Sequence, residues 1–236
     1  MNKISLECER DMQARHIDNG YRLTYYAEQS IVCCIECDTV DKVENEYQYR
    51  IESERKVWCA KFVCKHCQLS LVKNEDQADW VGQCNLIGDC PCSFCGTRLT
   101  ANEEIISSYK RALPSTIAID CSNCGKTNTV PVERANKYQR YDARLAIDAD
   151  FGLPLFLQVP CRFGKIWAFN QNHLTELHSY INATLRERTA DAGNASMPSR
   201  LPNWMKSAKN REMINKKLTQ LQIQLDRYEN QSISES

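Results

Sequence analysis

No uninterrupted apolar stretch in this 236-residue chain approaches the roughly 18 residues that a membrane-spanning helix requires. The start, Met1-Asn2-Lys3-Ile4-Ser5-Leu6-Glu7-Cys8-Glu9-Arg10, sets charges where a secretory signal would set an apolar run. Net charge is missing too: 30 Lys+Arg stand against 30 Asp+Glu, so no global field announces a nucleic-acid or membrane partner. Histidine is scarce, with only His16, His66, His173 and His178. There is no Gly-x-Ser-x-Gly, no phosphate loop and no His-Glu-x-x-His. These absences set the expectation of a non-enzymatic, cytoplasmic protein with no membrane partner and no small-molecule substrate in evidence. In such a chain Asn194-Ala195-Ser196 fits a glycosylation sequon by chance.

Cysteine, by contrast, is abundant, with fourteen residues. In a chain that is not exported the thiols stay reduced, and clustered Cys-x-x-Cys then reads as metal-binding rather than disulfide-bonded. Cys92-Ser93-Phe94-Cys95-Gly96 is echoed by Cys121-Ser122-Asn123-Cys124-Gly125, with 25 residues between Cys95 and Cys121. Two such pairs can set four thiolates at the corners of a tetrahedron, the closed arrangement of structural Zn²⁺. The glycine has a mechanical reason: a knuckle turns the chain so that backbone N–H groups face sulfur, and the residue after the second Cys needs φ > 0. An earlier copy has Cys34/Cys37 and Cys64/Cys67, 26 residues apart, with Asp38 and Gln68 in the glycine positions. Asp tolerates the left-handed conformation moderately and Gln less well.

Within each copy the two pairs are offset by 30 and 29 residues from first Cys to first Cys, so one unit occurs twice. The expected ligands are Cys92, Cys95, Cys121 and Cys124, then Cys34, Cys37, Cys64 and Cys67. On spacing alone a nested pairing of Cys64/Cys67 with Cys92/Cys95 stays open. So does a third zinc site that would join Cys84 and Cys90 to Cys33 or Cys59. A single iron held by four sulfurs is the redox alternative.

Around the cysteines the expected fold class is α+β: small β-rich zinc ribbons in tandem, then a β-hairpin with two helices. The domains are read as 1–82, 83–135 and 136–236. Alternation of Tyr21, Leu23 and Tyr25 suggests a strand. Residues 41–56 suit an exposed hairpin or loop, with strands at 60–63 and 69–72 entering and leaving a knuckle; strands at 116–119 and 129–132 bracket the last one. Asn102 to Leu113 reads as a helix with Asn102 as cap, and 133–150 as a bridging helix or linker. The runs 153–159 and 165–169 read as a hairpin turning at Pro160–Gly164. Asn172 is expected to cap a helix with Leu174, Leu177, Ile181 and Leu185 on one face and Gly193 as its stop. Asn203 is expected to cap a long helix carrying Ile214, Leu218, Leu221, Leu225 and Tyr228, followed by a frayed polar tail from Glu229.

The tandem Cys-x-x-Cys pairs resemble those of zinc-ribbon proteins. The segments 155–161, 166–170, 173–174 and 200–211 are similar to a module of bacterial zinc-ribbon proteins of uncharacterised function. That resemblance spans about 90–225 and implies a bacterial cytosolic origin and a ribbon-plus-hairpin-helix layout, but no reaction.

Charge is unevenly placed. Residues 1–90 hold 11 basic and 16 acidic side chains, residues 151–236 hold 11 and 7. A basic stretch with an aromatic residue, Arg200, Trp204, Lys206, Lys209 and Arg211, is the candidate nucleic-acid surface. Its competing reading is a solvated helix face with Trp204 packed inward. The expected partner is therefore nucleic acid or, for an adaptor or accessory subunit, a larger protein. His173 and His178 are expected in ordinary surface roles, and Cys161 as a bystander at the hairpin turn.

Overall fold

The computed structural model describes residues 15–50, 55–73, 79–106, 113–136, 145–188 and 195–234. The architecture is mixed α+β, built mainly of small antiparallel sheets.

A short strand β1 (Arg15–Asp18) leads to a 3₁₀ helix over Leu23–Glu28, where alternation had suggested a strand. The turn wins because Tyr26 and Ala27, adjacent in sequence, are both buried, whereas a strand would send one of them outward. Tyr21 and Tyr25 stack in parallel at 4.1 Å on the outside. Four strands follow as one antiparallel sheet: β2 (Gln29–Cys33), β3 (Val40–Arg50), β4 (Arg55–Val63) and β5 (Ser70–Val72). Residues 41–50 thus form one arm of a long hairpin.

The next sheet takes β6 (Gln83–Pro91) and β7 (Arg98–Ile106). Residues 102–106, expected as the start of a helix, are strand. Nine consecutive partners from Gln83↔Ile106 to Pro91↔Arg98 tie them to β6, and this ladder overrides a local cap signal. The remainder of that expected helix, 107–112, lies outside the described residues. Strands β8 (Thr116–Asp120) and β9 (Thr127–Pro131) form a hairpin of their own. In place of a linker, β10 (Glu133–Asn136) returns to pair with β6; residues 137–144 of the expected bridging segment lie outside the described residues. Beyond them Asp148, fully buried, accepts N–H groups from Asp150, Phe151 and Leu153 and holds an irregular loop.

The C-terminal hairpin is shorter than its apolar runs suggested. Only β11 (Gln158–Cys161) and β12 (Gly164–Trp167) pair, around Arg162–Phe163. Leu153, Leu155 and Leu157 are fully buried, and the backbone beside Leu155 bonds β2: Cys33 N–H donates to Pro154 O and Phe156 N–H to Ile31 O. Helix α1 (Gln171–Asn182) is capped by Asn170, not Asn172: the Asn170 side-chain oxygen accepts the His173 N–H at 3.0 Å. Leu174, Leu177 and Ile181 face inward, but the chain leaves the helix at Ala183. Leu185 then lies, half-exposed, on β13 (Leu185–Arg188), paired in parallel with β1. Gly193 lies outside the described residues.

The expected long helix begins later than Asn203. A single turn α2 (Met197–Arg200) and another, α3 (Asn203–Lys206), precede a break at Ser207 and a 3₁₀ turn over Ala208–Asn210. Buried Asn210 fixes that break by donating to Trp204 O and accepting from Arg162. Helix α4 (Arg211–Ser234) then runs past Glu229, where a frayed tail was expected. Its Ile214, Leu218, Leu221 and Leu225, at steps of four and three, are fully buried against α1 and the β11–β12 hairpin.

Among the described residues two cores form. The larger draws 32 buried side chains from residues 26–81 and 146–225, so the first cysteine pairs and the C-terminal elements share one interior. The smaller has five: Cys92, Leu99, Ala101, Cys121 and Val130. The chain leaves the larger body for these sheets beside a close backbone contact. Val81 N–H donates to Phe151 O, and Gly82 lies so close to Gly152 that a Cβ there would stand 2.7 Å from Gly152 Cα.

Candidate metal centre

Four turns carry the cysteines, and they share one backbone geometry. The first Cys N–H of each donates to the carbonyl five residues on, from Cys34, Cys64, Cys92 and Cys121 to Thr39, Leu69, Thr97 and Lys126 at 2.8–3.0 Å. The residue after the second Cys donates back to the first Cys carbonyl, also at 2.8–3.0 Å. Closing that turn needs a left-handed residue: φ is 59° at Asp38, 61° at Gln68, 75° at Gly96 and 68° at Gly125. Glycine meets that demand at no steric cost, whereas an L side chain costs about 1–2 kcal/mol.

The turns pair in chain order. Sulfurs of Cys34, Cys37, Cys64 and Cys67 lie within 4.8 Å of one another, and so do those of Cys92, Cys95, Cys121 and Cys124. Cys34–Cys67 and Cys37–Cys64 are both 3.5 Å apart, Cys92–Cys124 is 3.7 Å and Cys95–Cys121 is 3.6 Å. Sulfurs about 2.3 Å from a tetrahedral centre would stand about 3.8 Å apart, so both groups have the spacing of a four-thiolate metal site. Among the described residues these are the two groups of this kind; Cys33, Cys59, Cys84 and Cys90 build no third.

Hydrogen bonds at the sulfurs favour negative charge. Thr39 Oγ1 is 3.3 Å from Cys37 Sγ and, with its own N–H, holds that thiol down to about 6. Thr97 is placed alike at 3.3 Å and holds Cys95 down to about 5. Opposite them, burial pushes Cys34 up to about 12 despite N–H groups from Glu36 and Cys37. At Cys124 the Lys126 N–H pulls down, yet burial and three facing sulfurs carry the thiol up to about 12. Four sulfurs this close cannot all ionise unless a cation joins them.

Two residues not anticipated from sequence lock the paired turns. Asp41, buried, accepts the Lys65 N–H at 3.0 Å across the first group and the Lys42 N–H at 3.0 Å. Asn128, equally buried, accepts the Ser93 N–H at 2.9 Å across the second and directs its amide at Cys92 Sγ, 3.4 Å away. Asp41 is four residues past Cys37 and Asn128 four past Cys124; the same place after Cys67 and Cys95 holds buried Leu71 and Leu99. Each group thus pairs one Asx turn with one leucine turn, in opposite order along the chain. The signal was there in an Asx at a fixed offset, but only one turn of each pair carries it.

The predicted nucleic-acid residues are divided. Trp204 is half-buried and stacks on Phe163 at 5.0 Å. Lys206 donates to Ser199 O and Arg211 to Ala183 O, while Arg200 and Lys209 are exposed. His173 is not at the surface: it is fully buried, its Nδ1 accepts the Phe169 N–H at 3.2 Å, and burial pushes it down to about 3. His16 is buried as well, between Ser179 Oγ at 3.0 Å and Glu176 Oε1 at 3.3 Å. Conversely, Phe94 on the third turn is 64 % exposed, with Lys126 Nζ 6.0 Å from its ring centre. No described helix is long and apolar enough to cross a membrane. Comparison with protein-family models, with characterised proteins and with solved structures returns no match.

Proposed function

We propose that this chain is a tandem zinc-ribbon protein of the cytoplasm that acts as a docking adaptor rather than a catalyst. The observation that carries the reading is the near-tetrahedral spacing of two four-sulfur groups, each held by two turns of one geometry. Zinc fits the donor set, because all-thiolate tetrahedral sites without an open position are structural. The small core supports the same view. Leu99 and Val130 there contribute about 1.5–3 kcal/mol each and Ala101 less, together below the about 10–16 kcal/mol that metal supplies to zinc-finger peptides. Metal-held turns then serve as rigid presentation points, as at exposed Phe94.

Elemental analysis of the purified chain tests the reading. Two zinc ions per chain are expected, and one after Cys121→Ser; iron, with a visible absorption band, or no metal at all would overturn it.

A second reading, single-stranded nucleic acid, is favoured by the exposed Phe94 ring beside Lys126, since bases stack on such rings near cations. Oligonucleotide affinity that falls steeply with salt would support it; no binding at low salt would remove it.

A further inference from the structure

A cleft of about 1070 Å³ opens between the second turn of the first sulfur group and helix α4. Lys65 and His66 line one wall; Ile223, Gln224 and Arg227 line the other. Two features give the cleft a chemical character. Its cations, Lys65 and Arg227, are exposed on opposite walls and make no ion pair among the described residues. Its carboxylate, Asp41, is buried with both oxygens occupied, one by the Lys42 N–H and one by the Lys65 N–H. The two exposed charges of the cleft are therefore both positive, set against one buried carboxylate. On the helix wall, one turn before Arg227, stands Ile223, a large aliphatic side chain 46 % exposed, where Ile214, Leu218, Leu221 and Leu225 of the same helix are buried.

We propose that this cleft binds an acidic peptide segment of a partner protein, with an apolar side chain seated on Ile223 and carboxylates reaching Lys65 and Arg227. The site rests on the docking reading above and names the partner's chemistry. Charge complementarity of this kind steers encounter and selects among partners. A peptide is favoured over nucleic acid because the large apolar side chain exposed in the cleft, Ile223, is aliphatic. Its two aromatic rings, Phe156 and Tyr228, are half-buried and packed on each other at 5.6 Å, not presented as a stacking face. The sulfur group takes part through position. Lys65 directly follows Cys64, and Asp41 clamps its backbone, so the wall keeps its place only while the paired turns stay closed.

Fluorescence anisotropy on the zinc-loaded full chain tests the proposal, using a labelled peptide that alternates glutamate with leucine. A lysine–leucine peptide and an oligothymidylate serve as comparators. The acidic peptide is expected to bind, Lys65→Glu and Arg227→Glu each to weaken it roughly tenfold, and Ile223→Asp to weaken it further. Zinc content and circular dichroism should stay unchanged in all three, because the altered side chains are exposed. Arg200→Glu, outside the cleft, should leave binding as it was. Binding that ignores both charge reversals overturns the cleft and leaves docking elsewhere standing. Binding of oligothymidylate with no binding of either peptide overturns the cleft and the docking reading together.

Discussion

The two sulfur groups have the same donors and nearly the same spacing, yet they sit in opposite surroundings. The first leans on a 32-residue interior that also holds the C-terminal helices; the second has five buried residues, two of them its own cysteines. The first uses Asp38 and Gln68 where left-handed backbone is required; the second uses Gly96 and Gly125. A side chain in that conformation is tolerable where a large core holds the strands on either side. Where little else holds the fold, the turns use the residue that costs least. The same division appears at the clamps, a carboxylate in the first group and an amide in the second.

The largest test of this contrast is metal removal. Chelation, or Cys121→Ser, should strip hydrogen-exchange protection from residues 83–136 while peptides from α1 and α4 stay protected. Uniform loss across the chain would show that the two interiors are not energetically separate.

Acid should separate them differently. His173 lies only in the larger core and is pushed down to about 3, below the about 6.5 it has when unfolded. The unfolded chain therefore binds the extra proton, and the His173 contribution to stability falls as pH drops below about 6.5, by about 1.4 kcal/mol per unit. Asp148, pushed up to about 7 by burial in the same body, works the other way. His173→Gln should remove that contribution from urea midpoints recorded through α1 and α4, and leave the slope reported from 83–136 untouched.

Exchanging the clamps comes next in size. Asn128→Asp sets a carboxylate 3.4 Å from the Cys92 sulfur, in place of a donating amide. It should weaken metal retention against a chelator about tenfold, or roughly 1.4 kcal/mol. Asp41→Asn keeps an oxygen for the Lys65 N–H and should cost less. Equal effects would mean the clamps act on the backbone alone.

The smallest change is Gln68→Gly, which removes the penalty of a side chain at φ 61° and should raise the first group's midpoint by about 1 kcal/mol. Gly96→Ala should lower the second by a similar amount.

The cysteine turns were legible in the sequence because their chemistry is local: two sulfurs, a fixed spacing and one left-handed residue all lie within five positions. The α+β class and the strands beside the turns followed from the same short-range signals. Residues 102–106 were misjudged because Asn102, Glu103 and Glu104 carry a good helix start, and only the distant β6 outbids it. Asn210 shows the same limit, since its partners Arg162 and Trp204 come from a hairpin and a preceding turn. His173 reads as polar on an amphipathic helix, and its burial depends on Phe169 and Tyr26 closing over it. Long-range partners, not local preference, decided each of these.

Gly82 and Gly152 touch where the chain leaves the larger body, and by Ala146 it is back in that body's core. The sheets of residues 83–136 are thus set into the chain of the larger body, like a pendant on a clasp. A shortened protein in which a flexible linker joins position 82 to position 145 should accordingly remain a folded, one-metal molecule.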